Sequence, residues 1–209
     1  MITEHRPFVL RVVFALVALV MVAALILTGC SGSEAARAPV TGLSAQRAML
    51  SEGYSLLYSD AAKLDALELA LYVKVESQEF NDFITAVSTY GDELKHDLER
   101  IARDYPGVRI DLEPLPEMEK RKRFAIGKDR MLEFAPLGGR SRLDYERTML
   151  ISLSNALNHE SHLCQVMAGE EPDPGLKKVL LEAEQRYADL YRRAMDLLVR
   201  EHFRPGAKS

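Results

Sequence analysis

The sequence predicts an all-α protein: a four-helix bundle made of two antiparallel helical hairpins joined by a long crossover. Three observations predict it. After residue 43 the apolar residues recur at spacings of three and four, and no segment alternates as a strand would. The periodic stretches fall into two pairs, with a short turn near Glu76–Glu79 inside the first and another near Gly169–Pro174 inside the second. Between the pairs lies a long Pro- and Gly-containing connection, residues 106–142, as in bundles with a single long crossover.

The first thirty residues stand apart from this pattern. Arg6 and Arg11 precede an uncharged, largely apolar run from Val12 to Leu27. A basic stretch followed by an apolar one is the pattern of an export signal. A run of about 18 apolar residues also suffices to span a bilayer, which makes a retained anchor helix the competing reading. Leu27-Thr28-Gly29-Cys30 decides between them, because it resembles the bacterial lipobox. The resemblance implies that residues 1–29 are a lipoprotein signal peptide. It also implies that Cys30 is the lipidation site, carrying a lipid anchor of diacylglycerol and an N-acyl chain. Several acyl chains hold a protein at a membrane far more firmly than one. Ser31 stands where inner-membrane retention usually has Asp, which points to an outer membrane facing the periplasm if the host is Gram-negative. Residues 30–42, rich in Ser, Gly, Ala and Pro, read as a flexible tether.

The chain of 209 residues has a formal net charge of −4. Removing Arg6, Arg11 and Glu4 with the signal leaves 25 basic and 30 acidic side chains, a net charge of −5. A mildly acidic domain has no general attraction for nucleic acid. With Cys30 lipidated only Cys164 remains, so no intramolecular disulfide forms. There is no Gly-rich phosphate loop, HExxH, CxxC or GxSxG.

The helical domain is placed at residues 43–203, with 204–209 as a disordered tail. Its first stripe is Leu50, Tyr54, Leu57, Ala61, Leu64, Glu68, Leu71 and Val75. The second runs from Phe80 through Phe83, Val87, Tyr90, Leu94, Leu98 and Ile101 to Tyr105, stopped by Pro106-Gly107. The third is Met149, Leu153, Ala156, Glu160, Leu163 and Met167. The fourth is Leu176, Val179, Ala183, Tyr187, Leu190, Ala194 and Leu197, with Asp173-Pro174 as its N-cap and first turn. The crossover contains Lys120-Arg121-Lys122-Arg123, read as the solvated face of a short surface helix.

Two glutamates interrupt the apolar stripes at equivalent places. At 100° per residue, Glu68 and Glu160 each fall within about 10° of the centre of their face. Their offset also superimposes Leu64 on Ala156, Leu71 on Leu163 and Val75 on Met167, the mark of a weak internal repeat. An ionised carboxylate buried without a partner is very costly, so each needs a metal, a hydrogen-bond donor or a proton.

This arrangement resembles the ferritin-like superfamily, in which two helices each give a Glu and two give Glu-x-x-His. More closely it resembles small exported ferritin-like proteins of the outer membrane whose function is uncharacterised. Leu143-Asp144-Tyr145 and Asp173-Pro174-Gly175-Leu176-Lys177 carry that likeness, which spans roughly residues 60–200. The resemblance implies Glu68 and Glu160 as metal ligands. The rest of the ligand set departs from the family pattern. In Glu93-Leu94-Lys95-His96 the histidine lies about 180°, and Glu93 about 120°, from the centre of its helix's apolar face. Helix four has Glu184-Gln185-Arg186-Tyr187, a tyrosine where a histidine would stand. His162 points about 165° from the core, with His159 at its margin. Small sites of this kind need three or four convergent ligands.

The alternative is a buried polar network in which Tyr54, Tyr72, Tyr90, Tyr187 and Tyr191 donate phenolic hydrogen bonds to Glu68 and Glu160. Arg186 would then be a nearby counter-ion and Cys164 a small core residue. No Ser/His/Asp or Cys/His set assembles on one face, which argues against a hydrolase. The sequence therefore predicts a membrane-anchored envelope lipoprotein whose helical bundle binds an unknown envelope protein or supports an assembly, without catalysis. The alternative function is a divergent ferritin-like metal protein for iron or manganese storage, oxidation or peroxide handling, built on Glu68 and Glu160.

Overall fold

Where α1 (Gly42–Asp65) crosses α2 (Gln78–Asp104), the two backbones nearly touch at Gly91. A Cβ on Gly91 would sit 2.6 Å from Asp65 N and 2.8 Å from Ala61 O, so only a hydrogen fits between the helices. Tyr58 to Glu99 (3.0 Å) and Ser88 to the Asp65 carbonyl (2.6 Å) show that the two run antiparallel. The computed structural model describes residues 42–67, 77–111, 114–134 and 142–203, which all fall in one compact unit, Val40–Ser209. Among the described residues the regular structure is all helical, with no strand. The signal segment, Cys30, the tether up to Thr41, Glu68, Leu71, Tyr72, Val75 and the 204–209 tail lie outside the described residues, while Gly42, expected in the tether, opens α1.

The second antiparallel pair is α4 (Arg142–Glu170) with α5 (Pro174–Leu198), which runs on into a π-helical turn, Val199–Phe203. Asp173 caps α5 as expected: its Oδ1 accepts from Gly175 N at 2.8 Å and Leu176 N at 2.9 Å, with Pro174 in the first turn. Across the pairs, α1 packs on α4 and α2 on α5. Gly53 of α1 leaves room for Met167 of α4, whose Sδ a Cβ there would meet at 2.8 Å. The first, second and fourth stripes are buried largely as expected, Leu50, Tyr54, Leu57, Ala61 and Leu64 among them. Tyr105, at the end of the second, is exposed.

Two expectations give way. The first stripe was expected to run on as one unbroken helix, but α1 ends at Asp65, where a turn closes with Leu67 N on Leu64 O; the part of the stripe from Glu68 to Val75 lies outside the described residues. The cause lies on α2. Ser88 satisfies the terminal carbonyl of Asp65, and Lys95 pairs with its carboxylate at 2.6 Å, a cation at the negative end of the helix. The buried arc of α4 is also rotated from the expected stripe. It centres on Leu157 and Cys164, both fully buried, while Ala156 is exposed. Glu160 therefore stands about 60° off centre, on the α1 side. The rotation follows from packing: α4 lies along α5 far more extensively than along α1.

The crossover begins as a strap on α1. Ser51 Oγ donates to Gly107 O and accepts from Arg109 N, both at 3.2 Å. One turn later, Ser55 Oγ lies 3.3 Å from Arg109 O and accepts from Asp111 N at 3.0 Å. Four residues of helix rise about 6 Å and two extended residues about 6.6 Å, so the two repeats match. Val108 is buried beneath this strap. The basic run does lie on a surface helix, α3 (Glu117–Phe134), whose residues 121–129 are all exposed. Ion pairs link Arg121 to Glu117 (3.0 Å), and Arg123 to Glu119 (3.0 Å) and to Asp60 of α1 (3.5 Å). No described helix is long and apolar enough to cross a membrane.

Candidate functional site

Two buried glutamates mark the polar interior, and they are built differently. Glu171, in the turn between α4 and α5, is only 4% exposed. Arg47 of α1 grips it with both terminal nitrogens, Nη1 to Oε2 at 3.0 Å and Nη2 to Oε1 at 2.9 Å. The Tyr54 hydroxyl donates to Oε2 at 3.0 Å and Asp173 N to Oε1 at 3.1 Å. Four donors on two oxygens nearly saturate the carboxylate, and a paired guanidinium answers its charge. Burial, then the Glu171 charge, push the Tyr54 phenol well above its ordinary range, so it acts here purely as a donor. Gln46 extends the clamp by donating to Glu170 O at the end of α4, 2.8 Å away.

Glu160, midway along α4, is 8% exposed, and its Oε2 has no hydrogen-bond partner. Burial, and next the negative charge of Asp60 on α1, push its carboxyl up to about 8, so at neutral pH it carries a proton. Asp60 itself is paired with Lys63 and with Arg123 from the crossover. Tyr187 is fully buried, and its hydroxyl likewise has no partner. Its ring meets Tyr90 edge to face, centroids 5.1 Å apart, and Arg186 lies 5.7 Å over the Tyr90 ring. Burial raises both phenols, and it raises the fully buried Cys164 thiol, which is thereby held as an inert thiol rather than a nucleophile.

A third polar cluster closes the far end of the molecule. Buried Glu146 accepts from Ser77 N at 2.7 Å at the start of α2, and Arg200 of the π turn pairs with Glu79. His202, in the same turn, has a buried Nε2 without a partner, and burial depresses its basicity.

The residues singled out from sequence thus separate. Tyr90, Tyr187, Cys164 and Glu160 come together, with Tyr191 half-buried on α5. Tyr54 does not join them; it serves Glu171. Arg186 stacks on Tyr90 instead of pairing with a glutamate. Glu93, His96 and His162 are exposed, as their helical angles required; His159, expected at the margin of the core, is exposed as well, and His96 Nδ1 lies 2.8 Å from Asp92 O. Among the described residues no three His, Cys, Asp or Glu side chains are grouped so as to hold a metal ion. Glu68 falls outside that set.

Sequence reasoning missed Arg47, Asp60 and Glu171. For Arg47 a signal existed, since it extends the stripe 47-50-54-57 by one step and puts a cation on the buried face. Asp60 and Glu171 had none, because the arginines that pair with them, Arg123 and Arg47, lie 63 and 124 residues away in the chain. Two shallow surface depressions, one on α5 around Leu181 and one between α2 and α5 around Ile101, are lined by neither Glu160 nor Tyr187. Compared with protein-family models, curated proteins and solved structures, the chain matches none.

Proposed function

We propose that the chain is a membrane-anchored envelope lipoprotein, held by a lipid on Cys30. Its ferritin-like four-helix bundle serves a binding or structural role rather than a catalytic one. The observation that carries this reading is Leu27-Thr28-Gly29-Cys30 at the end of an uncharged apolar run. The two antiparallel helix pairs, with α1 on α4 and α2 on α5, support the bundle. The structural role is supported by Glu171, whose carboxylate is spent on tying α1 to the α4–α5 turn. In a Gram-negative host the protein faces the periplasm from the outer membrane, partnered by another envelope protein and not by nucleic acid. The test is Cys30→Ser. The unprocessed precursor should accumulate and fatty-acid labelling should vanish, whereas normal processing of that variant overturns the reading.

One observation favours a second reading, a divergent ferritin-like metal protein using Glu68 and Glu160. Glu160 holds an unpartnered buried oxygen beside a second carboxylate, Asp60. Elemental analysis of protein purified without chelators, next to Glu68→Ala/Glu160→Ala, separates the two. Stoichiometric iron, manganese or zinc lost in the double variant favours the metal protein. Background metal in both removes it.

A further inference from the structure

We infer that the outward face of α4 is where two copies of this chain meet, packed antiparallel about a two-fold axis near Asn158 and His159. Between Arg147 and Glu170 the only Asp, Glu, Lys or Arg on α4 is the buried Glu160, so the exposed side of the helix carries no fixed charge. Charges resume at its ends, where Arg147 pairs with Asp144 and Glu170 is exposed. The outward side of α5 is the opposite, with Lys178, Glu182, Arg186, Asp189 and Arg193 all exposed. Depletion of charge is the compositional mark of an interface core. On a helix of 100° per residue, Ile151, Asn155, His159, His162 and Val166 lie within about 40° of one line, on the side opposite Leu157 and Cys164. All five are exposed, Ile151 by 42% and Val166 by 65%.

The order along that line picks the occupant. It runs apolar, polar, polar, polar, apolar, and reads the same from either end. A second α4 laid antiparallel, with Asn158 opposite the copy's His159, sets Ile151 against the copy's Val166 and Asn155 against the copy's His162, each pairing occurring twice. Such pairing of i with j and j with i is what an isologous contact requires. Apolar pairs then close the two ends, and hydrogen-bonding groups fill the middle. Asn155 can donate and accept, and His162 has its Nδ1 3.2 Å from Gln165 Oε1, which leaves Nε2 for the second copy. Net charge points the same way. Copies of a chain at −4 repel over most of their surface, whereas two uncharged faces meet without like charges opposed. A contact one helix wide, from Thr148 to Gly169, is about 33 Å long and about 12 Å across, roughly 400 Å² per copy, which makes the dimer a reversible one.

The test uses the full chain, purified, with one added thiol at His159→Cys, which the two-fold axis brings within disulfide reach of its copy. Thr85→Cys, exposed on α2 across the bundle, reports chance encounters. The unaltered chain, treated alike, sets the background from Cys30 and the buried Cys164. Under a mild oxidant, His159→Cys should form the disulfide dimer several-fold faster than Thr85→Cys. Adding Ile151→Lys or Val166→Glu, both at exposed positions and checked for fold by circular dichroism, should slow it several-fold. Adding the two together should restore the rate, because the new charges are opposite in sign and face each other across the axis. A His159→Cys rate no faster than that of Thr85→Cys overturns the inference and leaves the face to a different protein. A fast rate that neither single substitution touches puts the contact on another face and overturns it too. A rate slowed by both and not restored by the pair overturns the antiparallel register.

Discussion

Glu171 and Glu160 are the same residue at nearly the same burial, 4% and 8% exposed, yet the fold treats them in opposite ways. Glu171 keeps its charge company: a bidentate arginine, a phenol and a backbone amide surround it. Glu160 has an acid for a neighbour, an oxygen with no partner, and a proton held up to about 8. The comparison teaches that burial alone does not fix the state of a carboxylate. Donors decide it, and the side-chain donors, from Arg47 and Tyr54, come here from residues far away in sequence.

Four substitutions break or sharpen that contrast, the largest effect first. Arg47→Ala leaves the Glu171 charge buried with only neutral donors, and should cost about 3–5 kcal/mol in urea unfolding at pH 7. A loss below about 1 kcal/mol would mean that water reaches Glu171 and that it is no buried charge. Glu160→Gln tests the other member through pH. The folded chain keeps the Glu160 proton up to about 8, while the unfolded chain releases it near 4.5. The folded state therefore binds the extra proton between those values, and its contribution to stability falls as pH rises from about 5 to 8, then levels off. Gln carries no such proton, so the variant should exceed the wild type by roughly 2–4 kcal/mol at pH 9 and converge with it near pH 4.5. A difference independent of pH would refute the protonated glutamate.

The tyrosines extend the contrast at smaller scale. Tyr54→Phe removes a donor from a charged acceptor and should cost about 1–2 kcal/mol. Tyr187→Phe removes a hydroxyl that has no partner, so the same chemical change should fall within about 0.5 kcal/mol of neutral or stabilise slightly. Equal losses in the two variants, read from paired thermal melts, would show that Tyr187 has a hydrogen bond after all.

Much of the helical layout was legible. Leu50, Tyr54, Leu57, Ala61 and Leu64 announce a buried face by spacing alone, and Asp173-Pro174 announces the start of α5. The end of α1 was not, because the apolar residues beyond Asp65 keep the same period and the features that stop the helix, Gly91, Ser88 and Lys95, belong to another element. The rotation of α4 was ambiguous for a related reason. Stripes through Ala156 and through Leu157 are both apolar, and only the extent of packing on α5 chooses between them. Glu160 was found by its position on a buried face, but its neighbour Asp60 was not. The Arg47–Glu171 clamp joins side chains that no local pattern relates.

The serine strap on α1 limits where this chain can change length. Its hydroxyls meet every second residue of an extended segment, so one residue inserted between Gly107 and Asp111 would put carbonyls where amides must be and turn Val108 out of its seat. Deletions there would do the same. In descent these first residues of the crossover should therefore keep a fixed length together with α1, and gaps among related chains should collect downstream of Asp111.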